Sequence, residues 1–175
     1  MKNTPSQKIA AVLFACTCLI LINTAQAQKV VFLFGHGIYG TPTDKNFKDN
    51  YKYGLGVEAG AGLGFGKTFI MGTSGFTEFK SANGNELGHI VLIPVKLGLR
   101  QYVFSKMIYL HGDLGIMNIK YKNASTSESK FSGDLGVGVK LTAFEVQLDY
   151  DGFSRSDPSG YASWIGIKAG FAIGL

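Results

Sequence analysis

Three histidines have the widest chemical range in this sequence, because an imidazole can transfer a proton near neutral pH or bind a metal. They are His36, His89 and His111, and their spacing matches no metal-binding motif. His111 and Asp113 lie two residues apart on one face of a predicted strand, which predicts a histidine–carboxylate contact. Because the sequence places no nucleophile at the same depth, we expect a structural hydrogen bond and not a catalytic pair.

Two glycine-containing segments match phosphate-binding motifs only in part. The segment GHGIYG (35–40) fits G-x-G-x-x-G, but TPTD (41–44) follows where a dinucleotide-binding fold requires an apolar helix. The segment GKT (66–68) resembles the end of a phosphate loop, but Ala61 stands where its first glycine is needed, and no helix follows. We therefore expect no catalytic residue, no cofactor site and no metal site, and a protein that is not an enzyme.

The first 27 residues predict a cleavable signal peptide. A basic start and an apolar stretch over 9–22 precede Ala25-Gln26-Ala27, which has the small-x-small pattern of a cleavage site. A lipoprotein signal ending at Cys16 is the alternative. Cys16 and Cys18 are the only cysteines and both lie in this segment, so we expect no disulfide from residue 28 onward.

From residue 28 on, the chain alternates with a period of two, which indicates β-strands. Over 53–65, for example, aliphatic and aromatic residues form one face, and glycines with Glu58 form the other. The pattern predicts strands at 29–40, 51–65, 68–80, 88–103, 107–121, 131–142, 144–153 and 161–175. The facing of strands 29–40 and 68–80 stays open because their alternation is less regular. No helix is predicted between the strands.

The connections alternate between long and short, which is typical of transmembrane barrels. Long polar loops are predicted at 41–50, 81–87, 122–130 and 154–160, and tight turns at Gly66-Lys67, at 104–106 and near Ala143. Aromatic residues near strand ends predict belts at the two membrane interfaces. They are Tyr53, Phe79, Tyr121, Phe131 and Tyr161 at the loop end, and Phe65, Phe69, Phe104 and Phe144 at the turn end.

The two faces of the strands differ in a way that decides the class of barrel. The interior of an eight-stranded barrel is just wide enough for side chains to fill, so a uniform face of large aliphatic residues would overfill it. We expect the aliphatic face to meet lipid and the face of glycines and charges to line the lumen. The near-balance of acids and bases there predicts a structural charge network that plugs the barrel. Its predicted members are Glu58, Lys96, Arg100, His111, Asp113, Asp134, Lys140, Glu145, Asp149 and Lys168.

The segments LIPVKL (92–97) and IYLHGDLG (108–115) are similar to the outer membrane protein β-barrel domain family common in Bacteroidetes. The whole of 28–175 resembles small outer-membrane barrels of the OmpX/OmpA type. The resemblance implies an all-β, eight-stranded, antiparallel up-and-down transmembrane barrel in the outer membrane of a Gram-negative cell. It also implies contact with outer-membrane lipid, and recognition of the C-terminal strand by the barrel-assembly machinery, although Leu175 stands where such barrels often end in Phe.

The sequence leaves three interpretations of this protein open. The first is a structural or surface-interaction barrel of the cell envelope, with a surface ligand bound through the long loops. The second is a narrow, porin-like channel for small solutes or ions, and the third is a soluble barrel. A formal net charge of +5, partly in the predicted signal peptide, is too small and too scattered to indicate a nucleic-acid partner.

Overall fold

The computed structural model describes residues 29–82, 88–123, 127–155 and 160–174. The predicted signal peptide (1–27) lies outside the described residues. The eight strands are β1 (Lys29–Pro42), β2 (Tyr51–Phe65), β3 (Thr68–Ser81), β4 (Ile90–Phe104), β5 (Ile108–Tyr121), β6 (Ser127–Leu141), β7 (Phe144–Ser154) and β8 (Tyr161–Gly174). One helix, α1 (Lys45–Asn50), lies between β1 and β2.

The strands form a closed barrel in which each strand pairs with the next one along the chain. Every pair is antiparallel, and β1 closes the barrel by pairing with β8 from Phe32 opposite Gly174 to Pro42 opposite Trp164. Closure leaves no sheet edge with unpaired backbone groups, which is the requirement for strands that cross a bilayer. The predicted all-β, eight-stranded, up-and-down barrel is confirmed.

The tight turns lie where the sequence predicts them, within one residue. Gly66 adopts a φ of 69° between β2 and β3, and Ser105 and Lys106 adopt φ values of 43° and 56° between β4 and β5. Thr142 has a φ of 59° between β6 and β7. These turns lie at one end of the barrel, here called the turn end, and the longer connections lie at the loop end.

Side-chain exposure alternates along every strand with the aliphatic residues outside. Leu135 is 70% exposed and Leu97 is 66% exposed, whereas their inward neighbours Asp134 and Lys96 are buried. The structure also gives the facing of the two strands that the sequence left open. In β1 the inward residues include Phe32, Phe34, His36 and Ile38, and in β3 they include Met71, Thr73, Thr77 and Phe79.

The connection after β1 differs from the prediction, because it contains α1 and not only a polar loop. The Asp44 side chain caps the helix by accepting a hydrogen bond of 3.0 Å from the Phe47 backbone N–H. Phe47 is 2% exposed, since the helix directs its ring into the barrel mouth. A helix of six residues has too few apolar positions to give a periodic signal in the sequence. Within the described part of the chain, no helix is long and apolar enough to cross a membrane.

β6 begins at Ser127, four residues before the predicted start. Residues 127–130 pair with 117–120 of β5, so part of the predicted loop 122–130 is strand. The sequence hid this extension because Ser127, Glu128, Ser129 and Lys130 are all polar, and no alternation marks a strand whose two faces are both polar.

The predicted aromatic belts are wrong at three positions. Phe79 is completely buried in the lumen, Phe69 packs against the inward Phe32 ring, and Tyr121 packs against the buried residues at the barrel mouth. Both phenylalanines belong to β3, whose facing could not be read from its irregular alternation. The other predicted belt residues are exposed on the outer surface: Tyr53, Phe65, Phe104, Phe131, Phe144 and Tyr161.

Candidate functional site

The predicted charged residues all lie at inward positions of β2 and of β4–β8. Nine of the ten are buried, and the exception is Lys140, which is half-buried at the turn end. They come together because antiparallel pairing places residues that are distant in sequence at the same depth. Asp113 of β5 lies directly opposite Asp134 of β6, for instance, and Gln147 of β7 lies opposite Lys168 of β8.

One half of the network, nearer the turn end, is organised around Glu145. Arg100 donates two hydrogen bonds of 3.0 Å to the two carboxylate oxygens of Glu145. The His36 Nε2 lies 2.7 Å from Glu145 Oε1, and its Nδ1 lies 2.9 Å from Glu58 Oε1. A neutral imidazole has a single donor, so two hydrogen bonds to carboxylates require the doubly protonated cation. His36 therefore supplies a positive charge between two acids.

The other half, nearer the loop end, is organised around two lysines. The Lys168 ammonium lies 3.0 Å from Glu58 Oε2 and 2.8 Å from Asp149 Oδ2, which links this half to the first. Lys96 forms ion pairs with Asp134 and, at 2.7 Å, with Asp151 Oδ1. Because the lumen excludes water at these positions, such pairs are stronger than surface pairs, and losing one partner is costly.

His111 lies between three carboxylates. Its Nε2 is 2.7 Å from Asp149 Oδ1, and its Nδ1 is 3.3 Å from Asp113 Oδ2 and 3.5 Å from Asp134 Oδ1. The predicted contact between His111 and Asp113 is present. The sequence could not show that Asp134 and Asp149 converge on the same imidazole, because they belong to β6 and β7. His111, Asp113 and Asp134 could together hold a metal ion.

Sequence reasoning missed three members of the network: His36, Gln147 and Asp151. His36 was missed as a lumenal group because β1 alternates irregularly. Gln147 and Asp151 share the inward face of β7 with Glu145 and Asp149, so the period of two was a sufficient signal for both. Gln147 donates a hydrogen bond of 3.2 Å to Glu145.

Buried apolar clusters lie on both sides of the charged network, which the sequence did not predict. The loop-end cluster consists of Phe47, Tyr51, Phe79, Ile90, Leu92, Met117, Ile119, Phe153, Ala162 and Trp164. The turn-end cluster consists of Phe32, Phe34, Met71 and Ala172, with Phe69 packed against it. Arg100 joins the charges to the turn-end cluster, because its guanidinium lies 4.1 Å from the Tyr109 ring centroid and 5.0 Å from that of Phe32.

Two cavities bear on what the barrel can do. A space of about 10 Å³ lies in the lumen between the charged network and the loop-end cluster, lined in part by Glu58, Lys96 and Trp164. That volume holds roughly one water molecule. A larger cavity of about 320 Å³ lies at the barrel mouth, with Phe47, Tyr121 and Phe153 in its wall and Lys130 and Arg155 also lining it.

Comparison with solved structures finds the same fold in outer-membrane barrels. The chain is similar to the attachment invasion locus protein Ail of Yersinia pestis, an outer membrane protein, with 14% identity and a TM-score of 0.50. It is also similar to the N-terminal β-barrel domain of Pseudomonas aeruginosa OprF, with 15% identity and a TM-score of 0.51. Each match covers 85% of this chain and all of the other chain.

No protein-family profile and no curated protein sequence matches the chain. The resemblance to the Bacteroidetes family therefore stays a prediction. At this identity the structural matches establish the fold alone, a closed eight-stranded antiparallel up-and-down barrel like those of the matched outer-membrane proteins.

Proposed function

We propose that the protein is an integral outer-membrane barrel with a plugged lumen, which supports the cell envelope and presents its loop end to surface ligands. In this proposal, residues 1–27 direct export, the aliphatic outer face contacts outer-membrane lipid, and the barrel-assembly machinery recognises β8. The exposed outer belt supports membrane insertion, because a soluble barrel would bury its aliphatic face and not leave Leu97 and Leu135 about two-thirds exposed.

The filling of the lumen carries this proposal. From the loop end to the turn end, a solute would meet the apolar cluster around Phe47 and Trp164, then the ion-pair network, then the aromatic cluster around Phe32. Conduction would require the separation of buried ion pairs and the displacement of both clusters. The filled lumen thus favours a plug over the alternative, a narrow porin-like channel.

The contacts of the lumenal histidines also favour a role without catalysis. Across the described residues, neither His36 nor His111 is hydrogen-bonded to a serine, threonine or tyrosine hydroxyl. Nucleophilic catalysis requires such a contact between the base and the nucleophile.

Single-channel recording in planar bilayers tests the plug. The full chain should give no steady conductance above the lipid baseline at neutral pH. A Phe47→Ala, Trp164→Ala variant should also remain closed, because it opens the loop-end cluster and leaves the ion pairs and the turn-end cluster in place. Discrete and reproducible openings of the unmodified protein would favour the channel instead.

Membrane integration has its own test. The protein should stay in the membrane pellet during carbonate extraction, and it should migrate differently on gels before and after heating in detergent. Release by carbonate without detergent would point to the soluble barrel.

The loop end has the features of a site for an anionic surface ligand. Among the described residues there it carries eight basic and four acidic side chains, namely Lys45, Lys48, Lys52, Lys80, Lys120, Lys122, Lys130 and Arg155 against Asp44, Asp49, Glu78 and Glu128. The mouth cavity adds an aromatic wall beside this basic rim. Predicted loops 41–50, 81–87, 122–130 and 154–160 would form the contact surface.

Binding to a sulfated polysaccharide tests this surface. The protein in detergent should be retained on immobilised dextran sulfate and not on dextran, and salt should weaken the binding because exposed charges are screened. Lys45→Glu with Lys48→Glu should reduce retention, whereas the matched control Lys67→Glu with Lys106→Glu, at the turn end, should not. Equal retention of both variants would exclude α1 from the contact.

A further inference from the structure

Three potential metal ligands meet at one point in the lumen, between β5 and β6. They belong to His111, Asp113 and Asp134, and one ligand atom from each of these residues lies within 4.8 Å of the other two. The two carboxylates belong to residues directly opposite each other in the sheet. Like charges in such a position repel each other, so a cation bound close to both would relieve the repulsion.

The distances match those between two ligands of one metal ion. His111 Nδ1 lies 3.3 Å from Asp113 Oδ2, which is a long hydrogen bond, and 3.5 Å from Asp134 Oδ1. Two ligands at tetrahedral angles on Zn²⁺, with bonds of about 2.0–2.2 Å, lie roughly 3.3–3.5 Å apart.

The other side of the imidazole is also arranged as in a metal site. His111 Nε2 lies 2.7 Å from Asp149 Oδ1, and Asp149 is held in turn by the Lys168 ammonium at 2.8 Å. A proton on Nε2, donated to Asp149, leaves the Nδ1 lone pair directed at the two carboxylates. Metal-binding histidines almost always donate their second nitrogen to a carboxylate, a carbonyl or a water in this way.

One candidate ligand atom at this point also lacks a hydrogen bond. Asp134 Oδ1 is buried and makes no hydrogen bond to any group among the described residues. Buried carboxylate oxygens are normally satisfied, and a bound ion is one of the standard reasons for an exception. Lys96 does not fill the gap, because its contacts go to the second oxygen of Asp134 and to Asp151.

We propose that the lumen binds one divalent cation of the zinc type through His111, Asp113 and Asp134, with Asp149 orienting the imidazole. A nitrogen ligand with two carboxylates is a donor set suited to Zn²⁺. Because apolar clusters close both ends of the lumen, the ion enters as the barrel folds. It stabilises the closed barrel and takes part in no reaction.

Metal content after refolding tests the site. The full chain is unfolded in urea with a chelator, refolded into detergent with or without Zn²⁺, desalted, and analysed for zinc by mass spectrometry. We expect about one zinc per chain, and at least a tenfold loss of bound zinc in His111→Gln and in Asp113→Asn, which each remove a ligand. Asp149→Asn should weaken the affinity by about 10–100-fold without abolishing binding.

The controls separate this site from other histidines and from failed folding. His89→Gln changes a half-buried histidine at the loop end, paired with Glu78 at 2.6 Å, and should leave the zinc content unchanged. The heat-dependent gel shift identifies the folded fraction of each variant. In case a ligand variant does not fold, ¹⁵N NMR of the unmodified protein should show that zinc changes the His111 Nδ1 signal while Nε2 keeps its proton.

Two results would overturn the proposal. One is a barrel that folds in the presence of zinc, retains less than about a tenth of a zinc per chain, and has both His111 nitrogens protonated. A proton would then occupy the position that we assign to the metal ion. The other is a zinc content that is the same in folded His111→Gln as in the unmodified protein, which would place the ion elsewhere.

Discussion

Arg100→Met should destabilise the barrel strongly, because it removes the cation that neutralises Glu145 in a closed part of the lumen. Arg100 is 1% exposed and Glu145 is fully buried, and two hydrogen bonds of 3.0 Å join them. Methionine retains much of the apolar volume, so the loss is mainly one of charge. The substitution leaves Glu145 with His36 at 2.7 Å and Gln147 at 3.2 Å.

The magnitude follows from these remaining partners. Removing one member of a buried ion pair costs about 3–5 kcal/mol when nothing else neutralises the other member. Because His36 still faces Glu145, we expect the lower end of that range. The lost contacts between the guanidinium and the rings of Phe32, Phe34 and Tyr109 add about 1 kcal/mol. The expected decrease in the free energy of unfolding is therefore about 3–4 kcal/mol.

Urea unfolding of the folded barrel in lipid vesicles measures this change. Trp164 is the only tryptophan, and its burial in the loop-end cluster makes its fluorescence a direct probe of unfolding. For the double variant Arg100→Met, Glu145→Gln, the decrease in the free energy of unfolding should be smaller than the sum of the decreases of the two single variants by at least about 2 kcal/mol. The reason is that the double variant leaves no uncompensated charge.

An exposed ion pair provides the control for the Arg100 experiment. Lys80 and Glu78 form a pair of 3.2 Å with both side chains partly exposed, so Lys80→Met should cost less than about 1 kcal/mol. Two results would refute the reasoning that buried charge pairing stabilises the lumen. One is a decrease in the free energy of unfolding for Arg100→Met that is as small as that for Lys80→Met. The other is a double variant whose decrease equals the sum of the decreases of the two single variants.

Two further substitutions test the facing of the strands, each with a matched partner. Gly62→Ala should cost about 1–3 kcal/mol, because its Cβ would lie within 2.8 Å of the Phe32 ring, whereas Gly72→Ala has open space and should be close to neutral. Equal unfolding midpoints in urea would contradict the packing at the turn end. Leu135→Arg in the apolar belt should cost about 2–4 kcal/mol, and Leu141→Arg at the turn end about 0–1 kcal/mol. Vesicle-based unfolding should show this dependence on depth, and its absence would mean that the outer face does not meet hydrocarbon.

The strand count and the facing of six strands could be predicted because those strands alternate without interruption. Val95, Leu97 and Leu99 alternate with Lys96, Gly98 and Arg100, and such a pattern has only one arrangement that keeps the charges out of lipid. β1 and β3 could not be assigned, because aromatic residues such as Phe32 and Phe79 occur on their inward faces as well as on their outward ones. The turn-end cluster was missed for the same reason. The loop-end cluster was missed because inward residues of other strands, such as Leu92, Ile119 and Trp164, are apolar where the sequence led us to expect glycines and charges.

The sequence by itself determined that this chain forms a barrel with an apolar outer surface and a charged lumen. Alternation assigns each residue to one face of its strand without knowledge of the residues that surround it in the folded barrel. Only the tertiary structure decided which charges meet. Pairing register and barrel closure bring Glu145 of β7 to His36 of β1 across β8, and they bring Asp134 and Asp149 to His111. These contacts depend on the relative depth of residues up to 109 positions apart, which no local pattern encodes.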